Sequence, residues 1–159
     1  MWISLISFGD GARVDVPLTG LDLFHPPSLQ VSGSPTLGAA LRLLNDSLDT
    51  DVIQPSATVR GDYRPFVLIF VATNPADEWR EPARLLRERT HPRVNVVVVA
   101  CGSEVNEPDL TEITDSVLRM EEANAGSLLA HMSWMEMGAR PATMSEPPPS
   151  GTPQSAPTP

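Results

Sequence analysis

Residues 66–72, FVLIFVA, and residues 94–100, VNVVVVA, decide the fold. Each run is short, rich in β-branched side chains and apolar at nearly every position, as strands covered on both faces are. Two such runs predict neighbouring strands of a parallel sheet with helices packed on it. Between them Asp77 stands where it can cap a helix that carries Trp79, Ala83 and Leu86 on one side, and Pro82 lies early enough to be tolerated. After the second run, Asn106-Glu107-Pro108 predicts the start of a helix aligning Leu110, Ile113, Val117 and Met120. A last helix is expected over about 125–137, with Leu128, Met132 and Met135 aligned and Gly138 as its stop.

Working towards the N-terminus, Ser34-Pro35-Thr36 precedes LGAALRLLNDSLD, in which Leu37, Leu41, Leu44 and Leu48 fall at helical spacing. Ser34 is the expected N-cap and Pro35 suits the first helical position, so a helix is predicted near 35–49. Residues 2–8, WISLISF, lead through Gly9-Asp10-Gly11 into Arg13-Val14-Asp15-Val16-Pro17-Leu18, which alternates with period two. Asp-Gly between two such runs predicts a hairpin, and Pro17 removes a ladder donor and makes the second strand an edge. Residues 19–33 read as loop, with His25-Pro26-Pro27 blocking regular structure. The element order predicts an α/β, three-layer, Rossmann-like doubly wound domain over 1–140. Seven of the 17 prolines fall at or after Pro141, where no aliphatic periodicity survives, so 141–159 is expected to be a disordered proline-rich tail.

Composition narrows function. In 159 residues, 20 acidic against 11 basic side chains give a net charge of −9, which argues against phosphate-backbone and anionic-membrane partners. Cys101 is the only cysteine, so one chain builds neither a disulfide nor a cysteine zinc site, and a reducing cytoplasm is expected. No run approaches the length of a membrane span, and the N-terminus lacks a basic, then apolar leader pattern.

In an open α/β sheet the functional crevice lies beyond the carboxyl ends of the strands, here loops 9–12, 32–36, 72–78 and 101–107. Ser34, Thr36, Thr73, Asn74 and Asp77 are the oxygen-bearing candidates there, a set of the kind magnesium tolerates, although only Asp77 is a carboxylate. Capping by Ser34 and Asp77, and a turn at Thr73-Asn74-Pro75, account for the same residues structurally. No GxGxxG, Walker loop, HExxH or GxSxG is present, so nucleotide binding has no positive support. His25, His91 and His131 have no i,i+4 partner for a metal pair, and Cys101, at the end of a buried strand, reads as a small hydrophobe. Met132, Trp134, Met135 and Met137 offer a sticky surface, part of it needed as core.

Four stretches, WISLISFGDGARVDVPLTGLDLF, PPSLQVSGSPTLGAALRLLNDSLD, YRPFVLIFVATNPADEW and VNVVVVACGSEVNEPDLTEITDSVLRM, together resemble the von Willebrand factor A domains of the bacterial tellurium-resistance TerY-like group, over about residues 2–137. The resemblance implies a doubly wound domain that binds a divalent cation at the sheet top and uses it to hold protein partners, without enzymatic activity. It also implies kinase-like and phosphatase-like stress-response proteins as neighbours.

Three loops carry the family's metal site. The Asp-x-Ser-x-Ser loop belongs before Trp2, where the chain has only Met1, so the domain is expected to lack its first, central strand. In Ser34-Pro35-Thr36-Leu37-Gly38, Pro35 takes the family's threonine position and Thr36 lies one residue on. In Val71-Ala72-Thr73-Asn74-Pro75-Ala76-Asp77, Ala72 takes the ligating aspartate position, while Pro75 and Asp77 keep the motif letters. Too few hard ligands remain, so no magnesium or manganese cofactor is expected.

The expected function is a non-catalytic interaction module of a bacterial stress response. Its partner would be a protein, such as the kinase or phosphatase, or a second copy joined through the unpaired sheet edge. The alternatives are a small α/β enzyme using Asp77, Glu78 and Asn74, or a gene fragment without function.

Overall fold

The computed structural model describes residues 1–29, 32–53, 57–59 and 61–120. The last predicted helix, near 125–137, and the proline-rich tail, 141–159, lie outside the described residues.

The Asp-Gly turn forms the predicted hairpin. Strands β1 (Trp2–Phe8) and β2 (Ala12–Gly20) pair antiparallel, from Phe8 opposite Ala12 at the turn to Trp2 opposite Gly20 at the open end. The ladder shifts register on either side of Leu5, and β2 runs two residues further than the alternation from Arg13 to Leu18 suggests. A short 3₁₀ turn, Leu21–Leu23, follows.

Helix α1 (Leu37–Asp51) starts two residues later than predicted because Pro35 and Thr36 lie outside it. Its 3.6-residue period turns Leu37, Leu41 and Leu48 inwards, each no more than 4% exposed. The two apolar runs form β3 (Phe66–Val71) and β4 (Asn95–Ala100), parallel and in register from Phe66 opposite Asn95 to Val71 opposite Ala100. Helix α2 (Arg80–Glu88) crosses between them and buries Pro82, Ala83 and Leu86.

The helix predicted to run from Asn106 to Met120 is replaced by two elements. A single turn, α3 (Glu107–Leu110), ends at once, and β5 (Val117–Arg119) joins β4 as a third parallel strand. The Thr111 hydroxyl donates to the Pro108 carbonyl within the turn, and the Thr114 hydroxyl ties the following segment to the sheet by donating to the Val96 carbonyl at 2.8 Å. Leu110 and Ile113 still reach the core, each 1% exposed. Val117 and Leu118 then alternate between the two faces of the sheet, packing with different core clusters. Helical spacing matches the buried residues of the first half of this segment, and in the second half the period changes to that of a strand, leaving Met120 51% exposed.

The molecule is mixed α/β. Ile69 and Val71 of β3 and Val96, Val98 and Ala100 of β4 face α1 and α2 in the larger core cluster. Val97, Val99 and Leu118 form a second cluster on the opposite face, with Phe66 and Leu68 against it. A three-layer doubly wound sheet is not closed among the described residues: α1 and α2 pack on one face, and the strands fall into two sheets, β1-β2 and β3-β4-β5, with no ladder between β1 and β3. Helix α1 links the two sheets, packing against β1, β2 and α2, and Phe8 joins its core cluster.

Candidate functional site

The crevice beyond the carboxyl ends of β3 and β4 is bounded by the 72–78 and 101–107 loops, with the hairpin turn and the 32–36 segment beside them. Its polar groups are spent on one another. Asp77 does not cap α2, whose N-cap position is Trp79; it reaches across to α1, where its two carboxylate oxygens accept the Gly38 and Ala39 N–H groups at 2.9 Å each. Those donors are among the four that the first turn of a helix leaves unpaired, and a carboxylate there also complements the helix dipole. Arg42 approaches the same carboxylate at 3.7 Å.

The cap residue assigned from sequence therefore changes. Thr36 occupies the N-cap position of α1, with no side-chain cap bond, and its hydroxyl donates to the Gly9 carbonyl at 2.8 Å. Ser34 does not cap α1; its backbone N–H donates to Asp10 Oδ1 at 2.8 Å. Asp10, a turn residue by sequence, closes the hairpin turn onto the 32–36 segment. Gly33, at φ +87°, makes this possible, because any Cβ there would overlap the Asp10 carboxylate. Asn74 stitches the other side: its amide donates to the Glu104 carbonyl at 3.0 Å and its Oδ1 accepts the Asn106 N–H at 2.8 Å.

Of the five predicted residues, Thr36 and Asp77 are thus brought together at the start of α1, where the Ala76 N–H also donates to the Pro35 carbonyl at 2.9 Å. Asn74 belongs to a separate pair of loops, and Thr73 is exposed. The sequence signals for the missed partners were weak: Asp10 sits in an ordinary turn dipeptide, and Glu104 and Asn106 contribute backbone atoms, which no side-chain pattern reports.

Chemically, the arrangement is a set of latches. Asp77, the only carboxylate among the five, has both oxygens engaged by backbone donors, and the Asn74 amide bridges two loops. No group of three or more His, Cys, Asp or Glu side chains suited to a metal ion occurs among the described residues. Cys101, partly buried at the end of β4, has its thiol pushed up from the ordinary 9.0 by desolvation, against a hydrogen bond with Val71, so it is held as a thiol rather than a nucleophilic thiolate. A cavity of about 510 Å³ lies elsewhere, among Arg80, Arg84 and Arg87 of α2 together with Glu78, Glu81 and Glu112.

The open edge of β3 is the other feature of note. The Asn95 N–H donates to the Pro65 carbonyl and the Cys101 N–H to the Val71 carbonyl. With the parallel register, these bonds turn the backbone groups of Val67, Ile69 and Val71 towards β4 and those of Phe66, Leu68 and Phe70 away from it. Among the described residues no strand meets that second edge. Phe70 is 49% exposed on it.

No protein-family model matches the chain, and no curated protein matches it.

Proposed function

We propose that the chain is a non-catalytic interaction module that accepts a strand from a protein partner along β3. The observation that carries this reading is the edge at Phe66, Leu68 and Phe70, which no strand among the described residues pairs. An apolar strand with free N–H and C=O groups is a template for strand addition, which supplies main-chain hydrogen bonds and apolar burial together. The resemblance to the von Willebrand factor A domains of the TerY-like group supports it, because that architecture has a strand between those equivalent to β1 and β3, and among the described residues the two sheets remain separate at that place. The kinase-like and phosphatase-like proteins implied by the same resemblance are the proposed partners, in a cytoplasmic stress response. Among the described residues no helix is long and apolar enough to cross a membrane. When no other partner is present, a second copy supplies the strand.

Metal-dependent adhesion is not part of the proposal, since Asp77 is committed to α1 and Ala72 and Pro35 bring no side-chain oxygen to the crevice. The test is light scattering coupled to size exclusion over a range of concentrations. The full chain is expected to self-associate, and Phe70→Lys, a charge placed on the edge, is expected to return it to monomer. A monomer at every concentration, or association unaffected by Phe70→Lys and by Leu68→Pro, would remove the basis for the reading.

A further inference from the structure

At the pole of the sheet opposite the crevice, one cavity has a lining whose charge is the reverse of the chain's overall charge. A cavity of about 300 Å³ there is lined by Arg64, Arg87, Arg89 and Arg93, four of the 11 basic residues, against one carboxylate, Asp115. Two of the four are committed. Arg87 donates to Asp115 at 2.8 Å, and Arg89, its side chain only 11% exposed, is clamped by Asp49 and Asn45. Arg64 and Arg93 have no carboxylate partner among the described residues; Arg64 reaches only the Asn95 side chain, at 3.4 Å.

These two uncompensated guanidiniums are also neighbours by construction. Phe66 pairs with Asn95, and the Asn95 N–H already bonds the Pro65 carbonyl, so the segments bearing Arg64 and Arg93 enter the sheet side by side. Like charges on adjacent strands repel, and a bound anion removes the penalty. We infer that this cavity binds a phosphomonoester or orthophosphate dianion between Arg64 and Arg93. Two free positive charges match the dianion, and guanidinium forks suit tetrahedral phosphate oxygens better than a point charge does. The site shares no residue with the β3 edge or the crevice, so it stands or falls independently of the strand-addition reading.

Calorimetric titration of the full chain at low salt tests it, with orthophosphate as one probe and a phosphoserine peptide with neutral flanks as the other, the unphosphorylated peptide serving as control. Saturable one-to-one binding is expected, weakened at least fivefold by Arg64→Gln or Arg93→Gln and by raising salt to 0.3 M, where screening is strong. Arg93→Lys, which keeps the charge and loses the fork, is expected to fall between. Both side chains are exposed, so the variants should melt as the wild type does. A phosphopeptide bound tenfold more tightly than orthophosphate identifies a protein-borne phosphate as the ligand, whereas equal affinities identify the free anion. Absence of saturable binding to both probes, or unchanged affinity in the Arg64→Gln, Arg93→Gln double variant, would overturn the inference.

Discussion

Asp77 and Gly38, separated by 39 residues in sequence, are joined by a 2.9 Å hydrogen bond from the Gly38 N–H to the Asp77 carboxylate, with Ala39 bonded alongside. A loop after β3 thereby fixes the start of α1. Asp77→Ala removes both acceptors from the first turn and should cost about 1–2 kcal/mol, the usual loss for a helix cap. Ser34→Ala, at the position that sequence alone favours as the cap, should stay within about 0.5 kcal/mol. Urea unfolding of the two variants distinguishes the assignments.

The same contact demands a glycine. A Cβ at residue 38 would overlap the Glu78 carbonyl oxygen, a backbone atom that cannot swing aside. Gly38→Ala should therefore destabilise by about 1–3 kcal/mol, as overpacking does, although alanine is the better helix former. A thermal melt above that of the wild type would contradict the packing described.

Asn74 links the 72–78 and 101–107 loops through one donor and one acceptor. Asn74→Ala should cost about 1–2 kcal/mol and speed amide exchange at Asn106, whose N–H loses its acceptor. Exchange at Asn106 unchanged from the wild type would show that the bridge does not hold the loops.

A pH dependence follows from the clamp between α1 and the segment after α2. The hydrogen bond from Arg89, helped by its charge and opposed by partial desolvation, holds the Asp49 carboxyl below its ordinary 3.8. A carboxyl depressed in the folded state contributes stability in full above the unfolded value and loses it as pH falls through the folded one. The stability difference between wild type and Asp49→Asn should be constant near neutrality, begin to shrink as pH drops to about 3.8 and disappear at lower pH. Asp49 is mostly exposed, so the difference should be about 1 kcal/mol or less, measured by urea unfolding across that range.

Much of this architecture was legible in local pattern. The hairpin follows from Gly9-Asp10-Gly11, the parallel pair from two runs that are apolar at nearly every position, and α1 from its leucine spacing. Two kinds of information were not. Helical spacing cannot report that Thr114 bonds the Val96 carbonyl of β4 or that Val117–Arg119 joins the sheet. Nor can spacing report contacts between distant loops: Asp77 sits directly before α2 in sequence, and only the folded chain shows that its oxygens serve α1. The partners of the crevice residues, mostly backbone N–H and C=O groups, leave no trace in residue type. The separation of the hairpin from β3 is a matter of which strands meet, which apolarity alone leaves open.

The open edge of β3 is tested most directly by residue-resolved amide hydrogen exchange over 66–71 as a function of protein concentration. In dilute protein, Val67, Ile69 and Val71, bonded to β4, should be protected, while Leu68 and Phe70 exchange freely. As concentration rises and a second copy adds its strand, Leu68 and Phe70 should become protected too, and Phe70→Lys should abolish that gain. Equal protection of all of these amides at the lowest concentration, or fast exchange of Leu68 and Phe70 at every concentration, would contradict strand addition at this edge.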